Sequence, residues 1–264
     1  MSFIRANGGV VHYRDEGPRA GPPIVLVNAL GSDLRIWDEV AARLAGDFRV
    51  VRYDKRGHGL SEAGPGRADM ADYARDLAGL LDALGVARAT VAGLSIGGLI
   101  AQELYRQSPE RFAGLVLSDT AAKIGDDASW NARIAAIEAG GVEAVADGVM
   151  ERWFTADFRA RRRDELTGWR TMLVRSPKQG YLAACGALKR ADLRPFAGTI
   201  AVPTLCLAGD EDGSTPVALV RETAAMIPGA GFEIIAGAGH IPGIEQPEAT
   251  AGWLARHARR AAAS

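Results

Sequence analysis

The chain has 264 residues, and its 31 basic and 32 acidic side chains leave a formal net charge of -1. That balance removes any general electrostatic case for nucleic acid or an anionic membrane as partner, and the length suits one large domain or one domain with a sizeable insertion. Two cysteines, Cys185 and Cys206, make no disulfide framework and stand in no metal-ligand spacing with the four histidines, so no metal is expected and a reduced, cytoplasmic compartment is.

The N-terminal Met1-Ser2-Phe3-Ile4-Arg5 turns polar before a signal segment can develop. No uninterrupted stretch reaches the roughly 18 to 20 apolar residues that span a bilayer, so a soluble protein is expected. Residues 3–6 and 10–13 suit a first hairpin with Asn7-Gly8-Gly9 as its turn. Residues 23–27, Pro-Ile-Val-Leu-Val, form a continuous apolar run of the kind that is covered on both faces. The run ends in Asn28-Ala29-Leu30-Gly31-Ser32, and residues 37–44 then read as a helix. A strand over residues 48–53 delivers the polar, glycine-rich Asp54-Lys55-Arg56-Gly57-His58-Gly59-Leu60-Ser61.

Residues 70–84 carry Tyr73, Leu77, Leu80, Leu81 and Leu84 at helical spacing, with Gly85 as terminator. A short strand over residues 90–92, a helix over 97–107 and a strand over 112–117 continue the alternation. This rhythm predicts an α/β domain with a mostly parallel sheet, whose ligands sit in loops at the carboxyl ends of the strands. Between residues 121 and 193 the rhythm changes to helices alone, over residues 130–137, 142–154, 158–174 and 181–187. The expected organisation is a core of residues 1–120 and 194–264 with a helical cap of residues 121–193 inserted in it. The arginine cluster Arg159, Arg161, Arg162 and Arg163 lies in this block among Asp157, Asp164 and Glu165, as on a solvated helix face. Strands resume over residues 202–208 and 232–235, separated by a helix over 217–227, and a last helix over 247–257 leaves a tail from Arg259 that should fray.

The chemistry gathers at the carboxyl ends of these strands. Gly93-Leu94-Ser95-Ile96-Gly97 is a G-x-S-x-G pattern between a strand and a helix, which presents the serine hydroxyl at a sharp turn. A serine hydroxyl needs a base, and His240, in a glycine-bounded turn after the last strand, suits the role better than His12, His58 or His257. Asp210 and Asp212 both follow the strand over residues 202–208; Asp212 lies further out, where the loop can turn back toward His240, and Asp210 is placed to hold loop amides. The amide of Ile96, just after the serine, and one from the Asn28 loop, with Leu30 the best placed, are candidate oxyanion donors. Asn28 is a candidate brace for that loop, and the Arg56-Gly57-His58 turn has a structural reading in which the arginine bridges carbonyls. The spacings of phosphate cradles and dinucleotide folds are absent, and no organic cofactor is expected.

Taken together, the segment from Tyr53 to Ser61, the Ser95 turn, the loop from Gly209 to Pro216 and Gly239-His240 resemble the α/β-hydrolase superfamily across nearly the whole chain. More narrowly, the sequence resembles the 3-oxoadipate enol-lactonases of the β-ketoadipate pathway of aromatic catabolism. Asn28-Ala29-Leu30-Gly31 with Trp37, the run Leu117-Ser118-Asp119-Thr120-Ala121-Ala122-Lys123-Ile124-Gly125, Trp130 with Arg133-Ile134, and Glu151-Arg152-Trp153-Phe154-Thr155 carry that likeness. The resemblance implies an eight-stranded, mostly parallel sheet flanked by helices with an inserted helical cap. It implies Ser95 as nucleophile, Asp212 as acid, His240 as base, Leu30 and Ile96 as oxyanion positions, and Trp130 beside a small anionic lactone. Ala29 departs mildly from it, standing where the enol-lactonases often have serine and the wider superfamily glycine. The Trp130 indole would pack on the lactone ring and offer its N–H. Arg133, three positions on, is open to two readings, a solvated charge or a clamp for the substrate carboxylate. A cofactor-free haloperoxidase-like hydrolase, a broad carboxylesterase, and a small-molecule receptor on a hydrolase scaffold are the alternatives.

Overall fold

The computed structural model describes residues 2–64 and 66–263. The chain opens with β1 (Ser2–Ala6) and β2 (Gly9–Glu16), an antiparallel hairpin. Its turn is Asn7-Gly8, both residues at positive φ (46° and 82°), the backbone a two-residue turn needs to match strand twist. Next come β3 (Pro23–Val27), α1 (Asp38–Leu44), β4 (Arg49–Tyr53), α2 (Met70–Ala83), β5 (Ala89–Leu94), α3 (Ile96–Gln107) and β6 (Phe112–Ser118). The helices α4 (Asp127–Gly140), α5 (Glu143–Trp153), α6 (Ala156–Arg161), α7 (Arg163–Val174), α8 (Lys178–Arg190) and α9 (Arg194–Ala197) follow without a strand among them. The fold closes with β7 (Thr204–Gly209), α10 (Val217–Met226), β8 (Gly231–Ile235), α11 (Pro242–Glu245) and α12 (Pro247–Ala262).

The eight strands form one sheet in the order β1-β2-β4-β3-β5-β6-β7-β8. β1–β2 and β2–β4 pair antiparallel, and every later neighbour pairs parallel. The central strands are covered on both faces, which is why their sequences run apolar without alternation: Ile24, Val25, Leu26 and Val27 are all fully buried. α2 packs on α3, and α1 on α12. This arrangement puts the ends of β3, β5, β6, β7 and β8 in one row, at the edge where the loops carrying Leu30, Ser95, Asp119, Asp212 and His240 leave the sheet.

Three local expectations need correcting. The helix expected over residues 158–174 is two helices, because Arg162 leaves helical geometry (φ -113°, ψ 49°) between α6 and α7. The break lets Phe158 stack on Phe154 at 4.3 Å while the Arg162 guanidinium covers Phe158 and donates to the Ile244 carbonyl. At the carboxyl end the helix continues to Ala262 instead of fraying from Arg259. Arg259 pairs with Asp47 and lies over the Phe48 ring, while Ala258 and Ala261 are buried, so the last described turns are docked; Ser264 lies outside the described residues. Arg56 does not bridge carbonyls: it forms a two-pronged ion pair with the buried Asp76 of α2, a better match for a planar guanidinium than scattered carbonyl oxygens.

Candidate active site

Ser95 joins β5 to α3 with φ 57° and ψ -121°, a left-handed backbone that non-glycine residues rarely adopt. Such a conformation costs about 1–3 kcal/mol and persists only where its surroundings impose it. Here a Cβ on Gly93 would lie 2.2 Å from the Gly97 carbonyl oxygen, and one on Gly97 would lie 2.3 Å from that of Val27. Both glycines of the motif are therefore required by close backbone approach. The turn is held further by Ser95 N–H donating to the Ser118 carbonyl and by Thr120 Oγ1 donating to the Ser95 carbonyl at 2.6 Å.

The loop after β7 and the turn after β8 bring Asp212 and His240 together, with Asp212 Oδ2 and His240 Nδ1 2.9 Å apart. Asp212 also accepts from Ser214 N at 2.7 Å, Thr215 N at 3.1 Å and Thr215 Oγ1 at 2.6 Å. Burial alone would raise its pKa, but the positive imidazole and these donors outweigh burial and hold the carboxyl below its ordinary value. Asp210 instead accepts from Ala238 N, tying the two loops together. His240 N–H donates to the Trp153 carbonyl, so its turn is seated on the end of α5. Ser95 and His240 open onto the same cavity, without a hydrogen bond between their side chains. The other histidines are engaged elsewhere: His12 meets Asp54, His58 meets the Arg56 carbonyl, and His257 meets the Pro203 carbonyl.

Among the described residues, neither the Leu30 nor the Ile96 amide donates to a protein acceptor; Ile96 directly follows Ser95, and Leu30 lines the same cavity as Ser95. Leu30 sits in a loop fastened from below. Asn28 Nδ2 donates to the Ser32 carbonyl at 2.7 Å, and the Lys55 ammonium donates to the Ala29 carbonyl at 2.5 Å. Lys55, which sequence reasoning passed over, is fully buried, and burial pulls its pKa down to about 7 against the raising effect of Asp54 and Asp33. Between that value and the ordinary lysine range near 10.5 the unfolded chain binds the extra proton, so this group makes stability rise with pH across that window. Lys55→Met is expected to flatten the rise. Urea midpoints for both proteins at pH 7 and pH 9 check it, and equal pH increments in the two would refute the assignment.

The cavity over Ser95 and His240 has a volume of about 470 Å³ and is walled by Leu30, Thr215 and residues of α4, α5 and α8. Trp130 forms part of that wall, but its indole N–H already donates to the Ile124 carbonyl at 2.7 Å. The ring can pack on a ligand; its N–H is not available to bond one, which corrects the donor role expected for it. Arg133 lies over the Trp130 ring at 5.6 Å and also lines the cavity. Arg152, from α5, joins it there and was missed as a candidate. Neither guanidinium forms an ion pair among the described residues. Burial and then the neighbouring Arg133 charge lower the pKa of Arg152, an arrangement that an anion would relieve. A second cavity of about 440 Å³, between β2 and α7, contains neither Ser95 nor His240. Among the described residues no group of three His, Cys, Asp or Glu is placed to hold a metal, both cysteines are free and buried, and no helix is long and apolar enough to cross a membrane.

Comparison with known proteins follows the same lines. The family model described as the alpha/beta hydrolase family matches residues 24–253. A 3-oxoadipate enol-lactonase from Acinetobacter baylyi is 35% identical over 94% of this chain and 92% of its own. The crystal structure of the enol-lactonase from Burkholderia xenovorans superposes with a TM-score of 0.94 at 40% identity, covering 97% of this chain and 99% of that one. A thermophilic esterase from Thermogutta terrifontis gives a TM-score of 0.92 at 29% identity, covering 98% of each. With a family model spanning most of its length and relatives of this kind matched nearly end to end, the chain belongs to the α/β hydrolase family and is a hydrolase.

Proposed function

We propose that the chain hydrolyses 3-oxoadipate enol-lactone to 3-oxoadipate through a serine acyl-enzyme, with Ser95 as nucleophile, His240 as base and Asp212 as the acid that orients it. The observation that carries the reading is the pair Arg133 and Arg152, two guanidiniums that form no ion pair among the described residues and line the cavity that Ser95 and His240 share. A neutral ester offers such a pair no negative charge to meet. A lactone bearing a carboxylate does, and the enol-lactonase relatives favour that substrate over others.

In this mechanism His240 takes the Ser95 proton as Oγ attacks the lactone carbonyl, and the tetrahedral oxyanion is received by the Leu30 and Ile96 amides. The ring C–O bond then breaks. The oxygen it releases is that of an enol, whose negative charge spreads onto carbon, so its departure needs less help from an acid than an alkoxide would. His240 returns its proton, the enol becomes a ketone by protonation at carbon, and the opened chain remains on Ser95 as an ester. Water, deprotonated by His240, releases the second carboxylate and restores the serine. Asp212 keeps His240 in the tautomer with its proton on Nδ1, leaving Nε2 free to act. Residues 121–193 act as the cap that shapes the cavity and limits competing water.

The deciding experiment generates the enol-lactone in situ, subtracts its spontaneous hydrolysis, and compares kcat/KM with that for neutral esters and lactones of similar size. A preference of at least about a hundredfold for the anionic enol-lactone is expected, the size two charge-assisted contacts support. Efficient turnover of neutral esters with no acceleration on the enol-lactone would favour the broad-esterase reading.

A further inference from the structure

A second carboxyl group stands behind Asp212. Asp119 is the first residue after β6, and its side chain is completely buried. Its N–H donates to the Leu207 carbonyl, which brings it against the end of β7. There Oδ1 accepts from Gly209 N at 2.7 Å and Oδ2 accepts from Ser118 Oγ at 2.6 Å. The carboxyl also lies within hydrogen-bonding reach of the Asp212 carboxyl. Asp119 holds this place at φ 47°, one of three non-glycine residues at positive φ among the described residues, together with Ser95 itself. No part of Asp119 lines the cavity.

We propose that Asp119 is a positioning residue that holds the Asp212 carboxylate in line with His240 through an O–H···O hydrogen bond. The proposal rests on the reading of Ser95, Asp212 and His240 given above. Two carboxyl groups in contact, without a lysine or arginine between them, do not both ionise. The titratable groups facing the pair are Asp212 itself, from the loop after β7, and His240, from the turn after β8; Gly209 and Ser118 supply uncharged donors. Asp212 collects donors from His240, Ser214 and Thr215, whereas Asp119 collects only Ser118 and Gly209, so the negative charge settles on Asp212 and the proton on Asp119. Burial and then the Asp212 charge push Asp119 well above the usual carboxyl range, in the same direction. Asp119 thus gives the acid a hydrogen bond without adding a second negative charge. That charge would stabilise the imidazolium before reaction and leave less free base at neutral pH. Asp119 also anchors the root of the loop, because the Gly209 amide it receives belongs to the residue whose carbonyl accepts from Asp212 N.

Two variants separate this from a merely structural role. In Asp119→Asn the amide oxygen can accept from Gly209 N while the NH₂ donates to Asp212. In Asp119→Gly the donor is lost, but glycine adopts the left-handed backbone without strain. The Asn variant is expected to keep kcat within about threefold and to leave the acid limb of the kcat/KM pH profile where it was. The Gly variant is expected to lose about tenfold in kcat with KM little changed, the size of one lost hydrogen bond. Thermal unfolding confirms that each variant is folded. Parental kcat in a folded Gly variant would overturn the proposal, as would an acid limb moved down by about a unit in the Asn variant, since that shift reports loss of a negative charge. If the Gly variant does not fold, the Asn profile decides alone. Asp212→Asn, measured alongside, tests the underlying assignment separately: near-parental turnover there removes Asp212 from the mechanism whatever Asp119 does.

Discussion

Ser95→Ala is expected to lower kcat on the enol-lactone by at least about a thousandfold while leaving the fold intact; loss of a serine nucleophile in a triad reaches about 10⁶-fold in a well-studied case. The fold should survive because the Ser95 side chain makes no hydrogen bond to another protein group, and the turn is held by backbone contacts and by Thr120. Alanine keeps the Cβ and inherits the same left-handed backbone, so the strain at φ 57° is unchanged to first order. What remains after the substitution is the contribution of the Leu30 and Ile96 amides and of substrate binding, which act on water attack as well as on serine attack. Single-turnover and steady-state rates, corrected for spontaneous ring opening, together with a melting curve, provide the check. A folded variant with turnover near the parental value would sink the acyl-enzyme mechanism and leave direct attack by water in its place.

How much of this was legible in the residues depends on the range of the forces involved. The Ser95 turn was readable because its glycines answer a steric demand within a few residues: Gly93 collides with Gly97 and Gly97 with Val27 once either carries a Cβ. The preference for Asp212 over Asp210 was readable for a similar reason, since the length of the loop decides which carboxylate reaches the His240 imidazole and which stops at the Ala238 amide. The break at Arg162 was not, because one residue leaving helical geometry hardly disturbs an apolar period, and its reward is the stacking of Phe158 on Phe154. The engagement of the Trp130 indole by the Ile124 carbonyl depends on how the segment before α4 curls back, which composition does not record. Arg152 and Asp119 were out of reach for a longer-range reason. Arg152 faces Arg133 only through the packing of α5 against α4, and Asp119 meets Asp212 only because β6 and β7 are neighbours in the sheet. Lys55 belongs to the same class: nothing near it in the chain says that it ends under the Ala29 carbonyl.

The substitution of both cavity arginines carries the other large effect. Arg133→Met and Arg152→Met are each expected to raise KM for the anionic enol-lactone about tenfold or more, and the double variant by more than about a hundredfold, because a hydrogen bond to a charged group contributes about 1.5–3 kcal/mol and each tenfold is about 1.4 kcal/mol. Methionine keeps most of the side-chain volume and removes the charge. Trp130 should hold its place in both variants, since its own anchor is the Ile124 carbonyl and not the stacked guanidinium. The two arginines need not be equal. Arg152 is half-buried on the α5 side beside Gly213, in the loop that carries Asp212, whereas Arg133 gains part of its stabilisation from the Trp130 face. Removing Arg152 also relieves the repulsion that the two positive charges exert on each other, so a neutral lactone or ester should be hydrolysed as well by the variants as by the parent, or better. Salt provides an independent readout: kcat/KM for the anionic substrate should fall with ionic strength in the parent and lose most of that dependence in the double variant. Equal losses on charged and uncharged substrates would place the arginines in the scaffold of the cavity wall and remove the main reason for preferring an anionic lactone to a neutral ester.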